Sequence, residues 1–477
     1  MKVIISFTLI LMVSLVSWAQ PAKAKKAAEV NTPAKSHAEV STAPAKPFAG
    51  ATPDLQNPMP GATLTLKTAV DMALTQNPNF LKARENIHYS EAGVPLIRSS
   101  LFPTVQATGT GYEKKDAAGN GNPLFGGDNY NQYVADIKLT QVLFQVGAIS
   151  ALGNAQKSLE ISRLNSEISS RDLIGEVIKA YFQIVLNARN VETLMRQDRF
   201  VKESLNVAQS RERTGRGRLL DVLQVKTQVS LLQAQIFDAQ NQLQIAAANL
   251  AYLIGDTGQK SFKITETLQA PDVAQVDTDV DLKHYQIPEI LRDELAIEQL
   301  DDLKQMTLGK NLPNLALIGD YNYSNFKKED LFNSYSNGWY VGLQLTIPIF
   351  SGFSSFYEQR QLTSQRLQLE FDKKYVESTV TYKQVTNRKL LETASNSINS
   401  GTEALKLAIA TSDEAKRNYR YATIDFLQFL TVEKDYVQAE QDLNKQKFQY
   451  ITALADYYSA SGQDMSRLVS ILESVNR

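Results

Sequence analysis

Two pairs of prolines constrain this 477-residue chain more than any other feature. Asn77-Pro78 is followed 25 residues later by Pro103, in Leu101-Phe102-Pro103-Thr104. Ile287-Pro288 is followed 25 residues later by Pro313, in Asn311-Leu312-Pro313-Asn314. The pairs are offset by 210 residues and the offset persists: Leu139-Thr140 through Phe144 matches Leu345-Thr346 through Phe350 at 206, and Gly215 through Leu223 matches Ala422 through Leu430 at 207. A period near 200 residues is far too long for a solenoid. The expectation is therefore an internal duplication, 63–265 and 284–477, joined by a linker over 266–283. That reading replaces the roughly three domains that length alone suggests.

Each unit opens with a helix between its prolines, because proline is tolerated in a first turn and the next proline stops the helix. Room exists for about 24 residues, or roughly 36 Å. The period then changes. Val105, Ala107, Gly109 and Gly111 alternate with Thr104, Gln106, Thr108 and Thr110. After a Gly/Asn-rich loop, Glu113 to Gln132, Tyr133, Ala135, Ile137 and Leu139 alternate with Val134, Asp136, Lys138 and Thr140. The second unit repeats this with Leu315, Leu317, Tyr321 and Tyr323, then a loop Ser324 to Gly338, then Trp339, Val341, Leu343, Leu345 and Ile347. Four strands of about ten residues, apolar on one side, with Tyr and Trp near their ends, fit membrane-spanning β-strands. The competing reading is a soluble sheet with one face on a helical core. Four strands cannot close a barrel, so strands of this kind in a membrane require several copies of the chain.

From Gly147 to about Arg213 no proline or alternation interrupts a helical pattern, with a seam at Ile174, Val177, Tyr181, Ile184, Ala188, Val191 and Met195, continued by Val201, Leu205 and Ala208. A cleaner heptad follows at Val222, Val225, Val229, Leu232, Ile236, Ala239, Leu243, Ala246, Leu250 and Leu253. Such seams pack as coiled coils. A helix over 149–213 is about 98 Å long, which neither neighbour matches alone. The lengths predict one long helix flanked by two shorter ones stacked end to end.

The N-terminus carries the only run approaching a membrane span. Met1-Lys2, the apolar stretch Val3 to Val16 and the small-residue end Ser17-Trp18-Ala19 read as a signal peptide, 1–19. Residues 20–62, rich in Ala, Pro, Lys and Thr, read as a flexible extension. The chain has no cysteine, three histidines and a net charge of -1. Disulfides, thiolate metal sites and an acyl-cysteine anchor are excluded, and the charge argues against a nucleic-acid binder. His37, His88 and His284 share no helical spacing, so no metal site or other cofactor is expected. No phosphate-binding glycine loop or nucleophile elbow occurs. The acid pairs Asp293-Glu294 and Asp301-Asp302 read as solvated helix faces, and the chain reads as no enzyme.

Several phrases resemble the TolC family of outer-membrane efflux and secretion channels over about residues 63–465. They are Leu64 to Leu74 with Asn77-Pro78, the helix-ending Pro103 and Pro313, Leu139 to Phe144, Leu345 to Gly352, and Gly215 to Leu223 with Asp221. The resemblance implies a mainly α fold with β: long α-helical hairpins forming a coiled-coil-like α-barrel, plus four transmembrane strands per chain in a twelve-stranded trimeric β-barrel. It also implies an outer-membrane location with the helices in the periplasm, a periplasmic adaptor and an inner-membrane transporter as partners, and a role as passive exit duct of an efflux pump or type I secretion system. The rival from another class is a periplasmic coiled-coil scaffold or adaptor without a pore. Three departures stand out. Ala422 occupies the place of Gly215, so a tight left-handed turn is disfavoured there. Val142 occupies the place that Pro348 holds in the second unit, so a softer bend is expected there; Gln428 occupies the place of Asp221, which leaves Asp425 as the nearest acid on the second tip.

The candidate sites follow. Arg211 to Asp221 holds four arginines before its aspartate, and arginine forks hold carboxylates in bidentate pairs. Arg213, Arg216, Arg218, Asp221, Arg420 and Asp425 are expected to form a tip gate, in which the two aspartates latch neighbouring tips. Gly215, Leu219, Leu223, Ala422, Leu427 and Leu430 are expected to present the adaptor-docking surface. Ile137, Leu139, Leu317, Tyr321, Tyr323, Trp339, Val341, Leu343 and Leu345 are expected to face lipid.

Overall fold

The computed structural model describes residues 64–115, 129–256, 264, 266–271 and 287–476, except 334 and 422. The expected signal peptide, the extension, most of the linker, the centre of the first strand loop and Ala422 lie outside the described residues. The elements run α1 (Leu66–Gln76), α2 (Pro78–Ser99), β1 (Thr104–Lys115), β2 (Asn129–Phe144), α3 (Val146–Arg213), α4 (Leu219–Leu253), α5 (Pro288–Gly309), β3 (Asn314–Asn325), β4 (Asn337–Thr346), α6 (Ser354–Arg420), α7 (Phe426–Ser461) and α8 (Met465–Asn476). From Pro78 and again from Pro288, the order is helix, two strands, long helix, shorter helix.

Helices α1 and α8 were not anticipated as separate elements. Thr65 and Thr68 close a reciprocal capping box at the start of α1, which buries Leu66, Ala69, Val70 and Ala73. Helix α8 buries Met465, Leu468, Val469 and Leu472. Both pack into a core built on the middle of α3 and the end of α7.

Helix α3 has 68 residues and α6 has 67, each about 100 Å long. Helix α3 packs along α4 and α6 along α7, while α2 and α5 lie against α3. The end-to-end stacking is visible at one junction. The Asn77 side-chain amide donates to the Leu253 carbonyl at 2.8 Å, and its oxygen accepts from the amides of Asn79 (2.9 Å) and Phe80 (3.1 Å). One residue therefore caps α2 and holds the end of α4. Helix α4 ends in a Schellman motif: Gly255 has φ +73, and the Asp256 and Gly255 amides donate to the Ala251 and Tyr252 carbonyls. A Cβ at Gly255 would lie 2.5 Å from the Gln76 carbonyl oxygen, so only glycine lets the two helix ends meet.

The α4 heptad is interior along its length, with Val222, Val225, Leu232, Ala246, Leu250 and Leu253 buried. The α3 seam needs correction. Ala188 is exposed, while Ile178, Phe182, Val185 and Leu186, outside the seam, are buried. A helix surrounded by several neighbours is apolar nearly all round, and a two-helix seam describes only one of its contacts. The acid pairs also differ from the expectation of solvated faces. Asp302 pairs with Lys157 at 2.9 Å, Asp301 with Arg366 at 3.3 Å and Glu294 with Lys373 at 2.8 Å, and Asp293 is buried beside Arg292. These pairs tie α5 to α3 and α6, because the helix is flanked on both sides.

The strands form one antiparallel sheet in the order β1-β2-β3-β4. At 12, 16, 12 and 10 residues, three exceed the expected ten. Glu113–Lys115 pairs with Asn129–Asn131, which shortens the first loop. Cross-strand rows put Val105, Leu139, Gly319 and Val341 together, and then Ala107, Ile137, Tyr321 and Trp339. The intervening row is Gln106, Lys138, Asp320 and Tyr340. The two exits differ in the way proline requires. Strand β2 runs through a register shift at Val142/Phe144 almost directly into α3. Pro348 cannot donate to a ladder; β4 stops at Thr346, and the chain turns through Gly352 and Phe353, at φ +66 and +61, before α6.

Candidate functional site

The apolar face of the sheet is uncovered. Trp339, Val341, Leu343 and Leu345 are 62–67% exposed, Ile137 and Tyr321 are exposed, and Leu139, Leu317 and Tyr323 are partly so. All nine expected lipid-facing residues lie on this face by register. An apolar patch of this extent, with edge strands β1 and β4 left unpaired, calls for a partner surface. Near the loop end, Tyr321 and Tyr323 join hydroxyls at 3.3 Å, and the Asn337 amide donates to Tyr321 at 3.1 Å. Tyr323 meets Phe332 edge to face, with ring centroids 5.4 Å apart. Among the described residues no helix is long and apolar enough to cross a membrane.

At the far ends of the long helices, the α3–α4 and α6–α7 connections come together. Arg211 donates to the Tyr419 carbonyl at 2.9 Å, and its guanidinium stands over the Tyr419 ring, 5.1 Å from the centroid. Beneath lies an aromatic core: Phe429 stacks on Tyr419 and meets Phe200, each at 5.0 Å. Such pairs are worth about 0.5–1.5 kcal/mol each beyond burial. Burial pushes the Tyr419 hydroxyl above its usual pKa, against the opposing field of Arg211. Neither Arg211 nor Tyr419 was among the expected gate residues. Nothing in their spacing marks them, since their pairing depends on two turns 208 residues apart.

The expected gate residues divide. Arg213, Arg216, Arg218 and Arg420 are all exposed. Arg218 pairs with Asp221 of the same chain at 3.3 Å, an exposed i,i+3 pair worth little. Asp425 is an N-cap: it accepts from the Gln428 amide at 2.8 Å, and Gln428 answers in a capping box. Within the chain, then, both aspartates serve their own helix starts. Gly215, at φ +70, closes α3 by a Schellman motif in which its amide and that of Arg216 donate to Glu212 and Arg211 carbonyls. Among the expected docking residues, Leu219, Leu223 and Leu427 are 51–61% exposed. Leu430 is corrected to a core residue, packed with Val222, Phe426 and Phe429, because it lies one turn beyond Phe426 on the same inward face of α7. Ala422 lies outside the described residues. Among the described residues no cluster of histidine, aspartate and glutamate is placed to hold a metal ion.

Residues 69–256 match the family described as outer membrane efflux protein. The chain is 24% identical to the alkaline protease secretion protein AprF of Pseudomonas aeruginosa over 416 residues, 82% of this chain and 83% of AprF. It is 21% identical to the outer membrane protein TolC of Vibrio cholerae, over 82% of this chain and 89% of that protein. The fold superimposes on the Campylobacter jejuni CmeC outer membrane channel with a TM-score of 0.72 at 16% identity, covering 86% of this chain and 89% of that one.

Proposed function

We propose that this chain, similar to the outer membrane efflux protein family over residues 69–256 and to secretion and efflux channels over most of its length, is a TolC-type channel protein of the outer membrane and acts as one third of a passive exit duct. Three copies each contribute four strands to a twelve-stranded barrel, and their helices continue it as a tunnel through the periplasm. A periplasmic adaptor and an inner-membrane transporter supply substrate and energy, and the chain itself catalyses no reaction. The observation that carries this reading is the sheet: one uncovered apolar face, one polar face and two unpaired edges, joined to helices about 100 Å long. A pore-free periplasmic scaffold has no use for such a face. The proposal includes the duplication, with units 63–265 and 284–477 as two copies of one building block.

The tips are the proposed gate. Arg213, Arg216 and Arg420 have no carboxylate partner among the described residues, so three copies would set them around one opening, where they pair with Asp221 and Asp425 of neighbouring tips until an arriving adaptor exchanges those bonds. Leu219, Leu223 and Leu427 offer it an apolar ledge.

Membrane fractionation, heat-modifiability on gels and planar-bilayer recording test this. The protein should sediment with outer membranes, migrate as a trimer before heating and form channels, and replacing Arg216 and Arg218 together should raise single-channel conductance. Recovery only in the soluble periplasm, without channels, refutes the duct. Unchanged conductance in the double variant refutes the gate alone.

A further inference from the structure

Away from both the tips and the sheet, α3, α7 and the segment 266–271 line a half-open polar cavity of about 210 Å³. Its charged lining is Arg189, Glu192 and Arg196 from α3, with Glu440 and Lys447 from α7. Glu192 accepts from Arg189 at 2.9 Å and from Arg196 at 3.1 Å, and Glu440 pairs with Arg196. Lys447 makes no ion pair with either carboxylate. Its half-buried ammonium donates to the Gln269 side-chain oxygen at 3.2 Å and has no carboxylate partner among the described residues.

Three cationic heads thus meet two carboxylates, and the excess positive charge sits at Lys447. Burial, and then the positive field of Arg189, hold the Lys447 pKa below the usual lysine value. An ammonium has three N–H donors and is costly to bury without an anion. The wall opposite is built rather than loose. The Thr267 amide donates to the Asn476 carbonyl at 2.9 Å, the Gln269 amide to the Asn476 side-chain oxygen at 2.6 Å, and the Asn476 side-chain amide back to the Gln269 carbonyl at 3.1 Å.

We propose that this cavity binds one small oxyanion, a carboxylate or a phosphate group, between the Lys447 ammonium and the Arg189 guanidinium. The bound anion completes the charge balance and fastens the segment 266–271 to α3 and α7. The site rests on these residues alone and does not depend on what the chain transports.

The test is equilibrium dialysis of labelled inorganic phosphate, and separately of labelled acetate, against the purified full-length protein at constant ionic strength. One of them should bind saturably at about one equivalent per chain, phosphate identifying a phosphoryl ligand and acetate a carboxylate. A charge-assisted hydrogen bond supports an expected loss in affinity of about tenfold or more in Lys447→Met. Arg189→Gln should lose comparably from the other wall, which keeps the test decisive if the first variant fails to fold. Lys447→Arg should retain binding, and Lys445→Met, which removes an exposed neighbouring charge, should leave it unchanged. Saturable uptake of neither anion, or uptake that both Lys447→Met and Arg189→Gln leave intact, overturns the site.

Discussion

Asn77 joins the start of α2 to the end of α4 through one side chain, and its replacement has a magnitude that can be worked out. The residue is 5% exposed. Its oxygen caps α2 through Asn79 and Phe80, and its amide holds the Leu253 carbonyl at the end of α4. Asn77→Ala removes the cap, worth about 1 kcal/mol, and leaves a buried carbonyl without its donor, at about 1–3 kcal/mol. The sum of about 2–4 kcal/mol corresponds to local opening favoured roughly 30- to 1000-fold. Asn77→Ser retains a capping oxygen but does not reach Leu253, so it should recover only about 1 kcal/mol. Amide hydrogen exchange separates the two effects. Protection of the first turn of α2 should fall in Asn77→Ala and hold in Asn77→Ser, whereas the last turn of α4, at Leu253 and Ile254, should lose protection in both. If the α4 amides exchange at the native rate in both variants, the two helices are not coupled through this side chain and the reasoning fails.

Gly255→Ala places a methyl 2.5 Å from the Gln76 oxygen at a φ of +73; the apparent unfolding temperature should fall by more than for Gly342→Ala, where a Cβ meets nothing within 4 Å, and equal shifts would refute the close approach. Leu343→Arg should cost about 2–4 kcal/mol of membrane stability near mid-bilayer, while Gln344→Arg on the opposite face is tolerated, as read by heat-modifiability. Tyr181 donates to the Leu64 carbonyl at 2.9 Å, and burial, reinforced by Glu266, pushes its pKa far above the usual value. The unfolded chain ionises this tyrosine near pH 10 and the folded chain does not. Its contribution is therefore fully present below about pH 10 and lost as pH rises further. Tyr181→Phe should lose about 1 kcal/mol at neutral pH and show a weaker alkaline decline in denaturant titrations; an identical alkaline limb would refute the assignment.

Periodicity and proline spacing determined much of this protein because they act locally. The heptad from Val222 to Leu253 needs only a partner helix, the alternation from Tyr133 to Leu139 needs only two unlike faces, and Asn77-Pro78 needs only a helix start. Those features made the helices, the strands and the apolar sheet face legible, including all nine of its expected residues. What the tertiary structure decided depends on contacts between distant segments. Ala188 fell outside the core and Phe182 inside it because α3 has several neighbours, and Asp293 became buried because α5 is flanked on both sides. Asp425, still exposed, caps its own helix, and Leu430 joined the aromatic tip core rather than the surface. Arg211 meets Tyr419 only after two helices of about 100 Å return their ends to the same place, a juxtaposition that no local pattern encodes.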